Sequence, residues 1–351
     1  MKFLLIIGIL FCSVMILCAG QDYSRFNQID LNKVRRVIGF GDGYVDVGNT
    51  FIYTTNQLPP AWPAPEGYDG FEGVTTNGKP FWIQLIERFT SLSTSDLSEV
   101  DNRAWAGAGV SSTLFPTSSV GGDPVRGYFA VPGFEQQVDG FLEDNPRVGE
   151  GTLFMIFVGQ HDYFDATIFV NSETIFARAA AVTAKIAQQV DRLLSASAPN
   201  CWAMVIGLPS LDEIPAAKAQ QNPALLQGLE AATLFHNGQL SQQIEAIDRR
   251  VNSFGFRAIW LDPTAQYARL YANPQRVNKF SEMEVPCFNQ ITGEQCSHPP
   301  AYYWWDSFYP TQSAHHFLKE TVYRLGFIQG KDFDVSSANL LQYSMMMIMI
   351  V

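Results

Sequence analysis

The chain has no CxxC pair and no HExxH motif, so neither a dithiol redox centre nor a helical zinc site has a basis in the sequence. It also has no Asn-x-Ser/Thr sequon and offers no acceptor for N-glycosylation. Basic residues are scarce: 23 Lys and Arg stand against 34 Asp and Glu, a net charge of −11. Nucleic-acid binding draws on clustered Lys and Arg to neutralise phosphates, so this balance argues against a nucleic-acid partner. No repeat and no disordered-type stretch is present, and no metal or cofactor is expected. What is there is a 351-residue chain, 47% hydrophobic, with enough apolar side chains to bury a large core.

Residues 1–20 carry one basic residue, an apolar run from Phe3 to Cys18, and the small-residue end Cys18-Ala19-Gly20. This pattern predicts a secretory signal peptide, with a mature chain from about Gln21 outside the cytosol; the alternative is an uncleaved membrane anchor. Residues 21–331 then form one expected domain, and 332–351 an apolar C-terminal tail. The tail lacks the polar spacer of a lipid-anchor signal, and its run is broken by Gln342, Tyr343 and Ser344. It is too short to span a bilayer, so membrane association is expected only through such an anchor. Of five cysteines, three remain after the signal. Cys287 and Cys296, nine apart in a polar stretch, suit a disulfide loop in an oxidising compartment, and Cys201 opens an apolar run as a buried thiol.

Four apolar runs read as buried parallel strands: Val37–Phe40, Leu153–Val158, Trp202–Ile206 and Ala258–Leu261. Helical periodicity lies between them at 172–196 and 223–251, with shorter helices at Phe81–Phe89 and 134–143 and a last one from about Gln312. Alternation of this kind predicts a three-layer α/β/α domain, flavodoxin-like, with a parallel sheet. Ligands on such sheets bind beyond the carboxyl ends of the strands. There the chain places Gly41-Asp42-Gly43 and Gly159-Gln160-His161-Asp162. Segments 52–75 and 111–133 read as long loops.

Five short blocks then line up. Phe40-Gly41-Asp42-Gly43-Tyr44-Val45-Asp46-Val47-Gly48-Asn49 resembles the first block of the GDSL/SGNH ester hydrolases, F-G-D-S-x-x-D-x-G-N. Thr76-Asn77-Gly78-Lys79-Pro80-Phe81-Trp82 and Asn102-Arg103-Ala104-Trp105-Ala106-Gly107-Ala108 resemble the next two. Gly159-Gln160-His161-Asp162 sits where G-x-N-D is expected, and Trp305-Asp306-Ser307-Phe308-Tyr309-Pro310-Thr311 where W-D-x-x-H-P-T is expected. The blocks come in family order and look most like fungal-type secreted members.

The resemblance implies a serine nucleophile, a histidine base oriented by an aspartate three residues earlier, and oxyanion donors from a backbone N–H, a Gly and an Asn. In this chain the Ser position is Gly43, the His position Tyr309 and the Asn position His161, while Gly107 and Asp306 are kept. Glycine offers no oxygen, and a phenol is a poor base at neutral pH. The expectation is a remnant site formed by Gly43, Gly107, His161, Asp306 and Tyr309, without ester hydrolysis. Asp42, Gly43, Gly107, His161 and Tyr309 are the candidate ligand-binding residues, and the expected ligand is an acyl, acetylated-carbohydrate or lipid molecule. Two alternatives stand beside this: a rebuilt hydrolase in which His161 activates a water, and a structural or partner-binding extracellular protein. Asp42 and Asp46 are expected to hold their loop through backbone N–H groups, and His315 and His316 are poor candidates for a replacement base. The residues around Tyr302–Trp305 read as packing rather than a sugar platform.

Overall fold

The computed structural model describes residues 29–55, 73–92, 97, 99–113, 119–123, 127–164, 172–289 and 292–327. The expected signal peptide and the apolar tail lie outside the described residues. Asp30–Gly326 belong to one compact unit, which holds every element named below except the last residue of the final helix.

Five strands, β1 (Arg36–Gly41), β2 (Glu99–Asn102), β5 (Thr152–Phe157), β6 (Cys201–Ile206) and β7 (Phe256–Leu261), form an all-parallel sheet. A separate antiparallel pair, β3 (Ser119–Asp123) and β4 (Gly127–Ala130), makes a hairpin. The helices are α1 (Asn49–Thr55), α2 (Phe81–Leu92), α3 (Phe134–Asp144), α4 (Ser172–Ser195), α5 (Pro215–Lys218), α6 (Pro223–Val251), α7 (Thr264–Ala272), α8 (Pro274–Asn278) and α9 (Gln312–Phe327).

The central strands are apolar on both faces because both faces are covered. Ile38, Phe40, Phe154, Ile156, Ala203, Val205, Ala258 and Trp260 point to one side. There they meet Val138 and Phe141 of α3, Ile186 and Val190 of α4, and Leu240 and Ile244 of α6. Each of the Val, Ile, Leu and Phe side chains among them contributes about 1.5–3 kcal/mol by leaving water. On the other side the Phe157 ring lies 6.1 Å from Phe81 of α2, and Gly326 of α9 faces Met204 and Leu261. The result is the expected α/β/α layering.

The sheet order is β2-β1-β5-β6-β7. With the hairpin set aside this is the 2-1-3-4-5 order of a doubly wound sheet, whose ligand crevice opens where the order reverses, between β1 and β5. The carboxyl ends of those two strands lead into Gly41–Gly43 and Gly159–His161. Strand starts at 36, 152, 201 and 256 agree with the apolar runs. The edge strand β2, with sequence Glu-Val-Asp-Asn, escaped because a half-exposed edge needs no apolar run. Segments 52–75 and 111–133 are corrected in part: α1 extends to Thr55, and the second segment holds the hairpin. Cys287 and Cys296 are bonded, with Cα atoms 4.8 Å apart, and Cys201 is a buried thiol donating to Gly149 O.

Candidate functional site

The loop after β1 is held by side chains that bond to backbone groups. The side-chain amide of Gln137 grips Gly41 at both ends: its oxygen accepts the Gly41 N–H and its nitrogen donates to the Gly41 carbonyl, each at 2.9 Å. Gly41 has φ of +140°, and a Cβ there would stand 1.8 Å from Phe157 O, so the close approach of β1 to β5 requires glycine. Asp42 accepts the Tyr44 N–H, and Asp46 accepts the N–H groups of Gly48, Asn49, Thr50 and Ala106. Asn49 donates to the carbonyls of Asn102 and Ala104, joining the first block to the third. Asp162, in the turn after β5, accepts the Val110 N–H with both oxygens and so fixes the far side of the Gly107 loop.

These loops bring Gly43, Gly107, His161 and Tyr309 into contact. A Cβ built on Gly43 would lie 2.4 and 2.5 Å from ring atoms of Tyr309, so the phenol ring stands where a side chain at position 43 would begin. The Tyr309 hydroxyl accepts the Gly107 N–H at 3.2 Å and lies 2.7 Å from His161 Nε2. Gly107 adopts φ of +82°, which aims that N–H inward. Asp306 stands behind: Oδ1 accepts the N–H groups of Phe308 and Tyr309 at 2.8 and 2.7 Å. The aspartate thus holds the backbone of Tyr309, while the phenol hydroxyl reaches past it to Gly107 and His161.

Burial dictates the charge states. It raises the Tyr309 phenol well above its ordinary value, so the hydroxyl keeps its proton. It lowers His161 to about 4, leaving a neutral imidazole at pH 7. One arrangement satisfies both groups: the phenol O–H donates to Nε2 while its oxygen accepts from Gly107. Burial also raises Asp306 to about 7, against the lowering effect of its two N–H donors.

A pH dependence follows. Asp306 binds its proton more tightly folded than unfolded, so its contribution to stability is full below about pH 4 and is lost as pH rises to 7. His161 has the opposite slope, losing stability as pH falls from 6.5 to 4. Asp306→Asn keeps an oxygen for the two N–H groups and removes the charge. It is expected to match the native chain near pH 4 and exceed it at pH 8 by on the order of 1–3 kcal/mol. Urea unfolding at the two pH values checks this, and an equal effect at both would contradict it.

The five candidate ligand-binding residues differ in exposure. Asp42, Gly43, Gly107 and Tyr309 are buried, and His161 alone of the five reaches the surface. The space expected for an acyl carbonyl between Gly107 and His161 is filled by the Tyr309 hydroxyl. Around the exposed edge of His161 lie Phe308 and Phe164, their rings 5.5 Å apart, while Tyr53 meets Trp105 at 5.7 Å beside the Gly107 loop. All four aromatics are half-buried. His315 is buried, accepts the Phe81 N–H with Nδ1 and stacks on that ring, so it serves packing. Tyr303 and Trp304 are buried too. Sequence reasoning missed Gln137 and Thr75, which donates to Gly43 O. No local motif marks either residue, because each acts on backbone distant in sequence.

No protein-family model matches the chain, and no curated protein matches it. Among solved structures, a catalytic mutant of an acetylxylan esterase from Geobacillus stearothermophilus is similar at 13% identity with a TM-score of 0.43, over 85% of this chain and 97% of that one. A GDSL-like lipase from Parabacteroides merdae is similar at 12% identity with a TM-score of 0.39, over 85% and 98%. A phospholipase A1 from Streptomyces albidoflavus gives 14% identity and 0.38, over 82% and 98%.

Proposed function

We propose that this chain is a secreted, non-hydrolysing protein built on an SGNH-type scaffold, with its ancestral reaction site closed by its own Tyr309. The observation that carries this reading is the position of the phenol. Its ring takes the space of a nucleophile side chain at position 43, and its hydroxyl occupies the hydrogen-bonding position between Gly107 and His161. A serine hydrolase needs an attacking oxygen, a base and empty donors for the oxyanion. Here the first is absent and the last are filled.

The rebuilt-hydrolase alternative needs room for a water and a base poised near the working pH. Tyr309 fills the room, and a His161 lowered to about 4 is a weak base. A binding role is favoured by the part-exposed aromatics flanking His161. Faces of this kind suit an acyl chain, a lipid or an acetylated carbohydrate lying across the rim, with no group inserted between Gly107 and His161. A purely structural or partner-binding role is the remaining alternative. Purified protein is expected to hydrolyse short p-nitrophenyl esters no faster than buffer, and to take no label from a fluorophosphonate. A glycan and lipid array separates ligand binding at the rim from a structural role.

A further inference from the structure

Between α8 and α9 the described residues hold one short 3₁₀ turn, Pro299–Ala301, and no α-helix or strand. This stretch carries both the Cys287–Cys296 disulfide and the turn that presents Tyr309. The turn is tied to itself: the Tyr309 carbonyl accepts the Trp305 N–H at 2.8 Å and the Asp306 N–H at 3.3 Å. On its leading side the disulfide loop holds it. The Cys287 N–H donates to Trp304 O at 3.0 Å, and the Phe288 N–H to Trp305 O at 2.7 Å. The Phe288 ring lies parallel to that of Trp305, with centroids 5.2 Å apart.

The loop in turn depends on its cross-link. Residues 292–295, Thr-Gly-Glu-Gln, are exposed and carry no apolar side chain whose burial could order them. The Cys296 N–H donates to Cys287 O at 2.7 Å, so the disulfide closes a narrow loop whose first arm is the segment bonded to Trp304 and Trp305. Cleaving the bond returns to that arm the chain freedom the cross-link removes. The Tyr309 hydroxyl lies 3.2 Å from Gly107 N and 2.7 Å from His161 Nε2. A displacement of about 1 Å takes both contacts past hydrogen-bonding range.

Building on the reading of Tyr309 as the closing group, we infer that the Cys287–Cys296 disulfide locks the closure and that its reduction by a dithiol opens the site. Cys287 is buried, whereas Cys296 is half-buried between exposed Gln295 and Ser297. A thiolate of the dithiol therefore attacks Cys296 Sγ, forming a mixed disulfide and expelling the Cys287 thiolate, which takes up a proton. The reductant's second thiol, as its thiolate, then displaces the Cys296 thiolate, which is protonated in turn. The products are two protein thiols and the reductant's own cyclic disulfide, so two electrons and two protons pass to the protein. In an oxidising compartment the lock stays on.

The test is amide hydrogen exchange of the whole chain, read residue by residue with and without dithiothreitol. The Gly107 N–H reports the closure, and that of Met204, in the middle of β6, reports the fold. Reduction is expected to speed exchange at Gly107 at least tenfold and at Met204 by much less. A chain carrying both Cys287→Ser and Cys296→Ser should show the faster Gly107 rate without reductant and no response to it. Phe288→Ala, with the disulfide intact, removes the stack on Trp305 and should raise the Gly107 rate by a smaller factor. Equal acceleration at both amides, as global unfolding gives, or an unchanged slow rate at Gly107, overturns the lock alone. Fast exchange at Gly107 already in the oxidised chain would contradict the closure itself, and the lock with it.

Discussion

Gly43→Ser is expected to destabilise the native chain, and Tyr309→His is expected to relieve much of that loss. The added Cβ would meet Tyr309 ring atoms at 2.4 and 2.5 Å and Thr75 Cγ2 at 2.7 Å. Tyr309 is buried, with Tyr44 edge-on to it at 5.9 Å, so the ring has little room to withdraw. Overpacking of this kind costs about 1–3 kcal/mol. Tyr309→His alone leaves the Gly107 N–H without its phenol acceptor, a loss of about 1–3 kcal/mol. In the double variant the serine enters space that the smaller imidazole vacates. The two effects should therefore fall short of their sum by more than the ~0.5 kcal/mol scatter of independent sites. Urea unfolding of native, single and double variants closes this cycle; additive losses would show that residues 43 and 309 do not compete for one space. The double variant also restores a hydroxyl and an imidazole beside Asp306, and measurable ester hydrolysis is expected from it and from neither single variant. Adding His161→Asn should improve it by remaking a neutral amide donor.

Truncating the closing side chain should have the largest effect on stability. Tyr309→Ala removes a fully buried ring and both hydroxyl contacts, with an expected loss of about 3–5 kcal/mol. Tyr309→Phe keeps the ring and removes the hydroxyl alone, for about 1–3 kcal/mol. The space left by alanine has the shape of a phenol, with a backbone N–H and an imidazole nitrogen at its polar end. Added phenol should raise the melting temperature of Tyr309→Ala progressively as its concentration exceeds its dissociation constant, and should leave the native chain unchanged. Benzene, which fills the volume without the two hydrogen bonds, should stabilise less. Equal rescue by benzene and phenol would mean that the hydroxyl contacts with Gly107 and His161 carry no weight.

The sheet was legible in the sequence because a strand covered on both faces must be apolar throughout, and β5 and β6 are. The polar β2 and the short α7 and α8 were not, since pairing at an edge and local turns leave no such trace. The blocks named the residues that meet at the switch point, because each block ends a strand or caps a loop there. What they could not reveal was the phenol's direction. A tyrosine side chain is longer than a histidine's. Its hydroxyl reaches beyond the aspartate, which holds the backbone N–H instead. Nor could they show that four of the five candidate ligand residues lie beneath the surface, a consequence of that ring filling the space between the loops.

Closure of the site by Tyr309 in solution is tested most directly by the initial rate of p-nitrophenyl acetate hydrolysis by the native chain, set beside its Tyr309→Phe and His161→Ala variants. All three are predicted to match buffer. A native rate of about 1 per second or more, within the range of ordinary enzymes, that falls when His161 or the Tyr309 hydroxyl is removed would contradict the closure and establish an active site at this position.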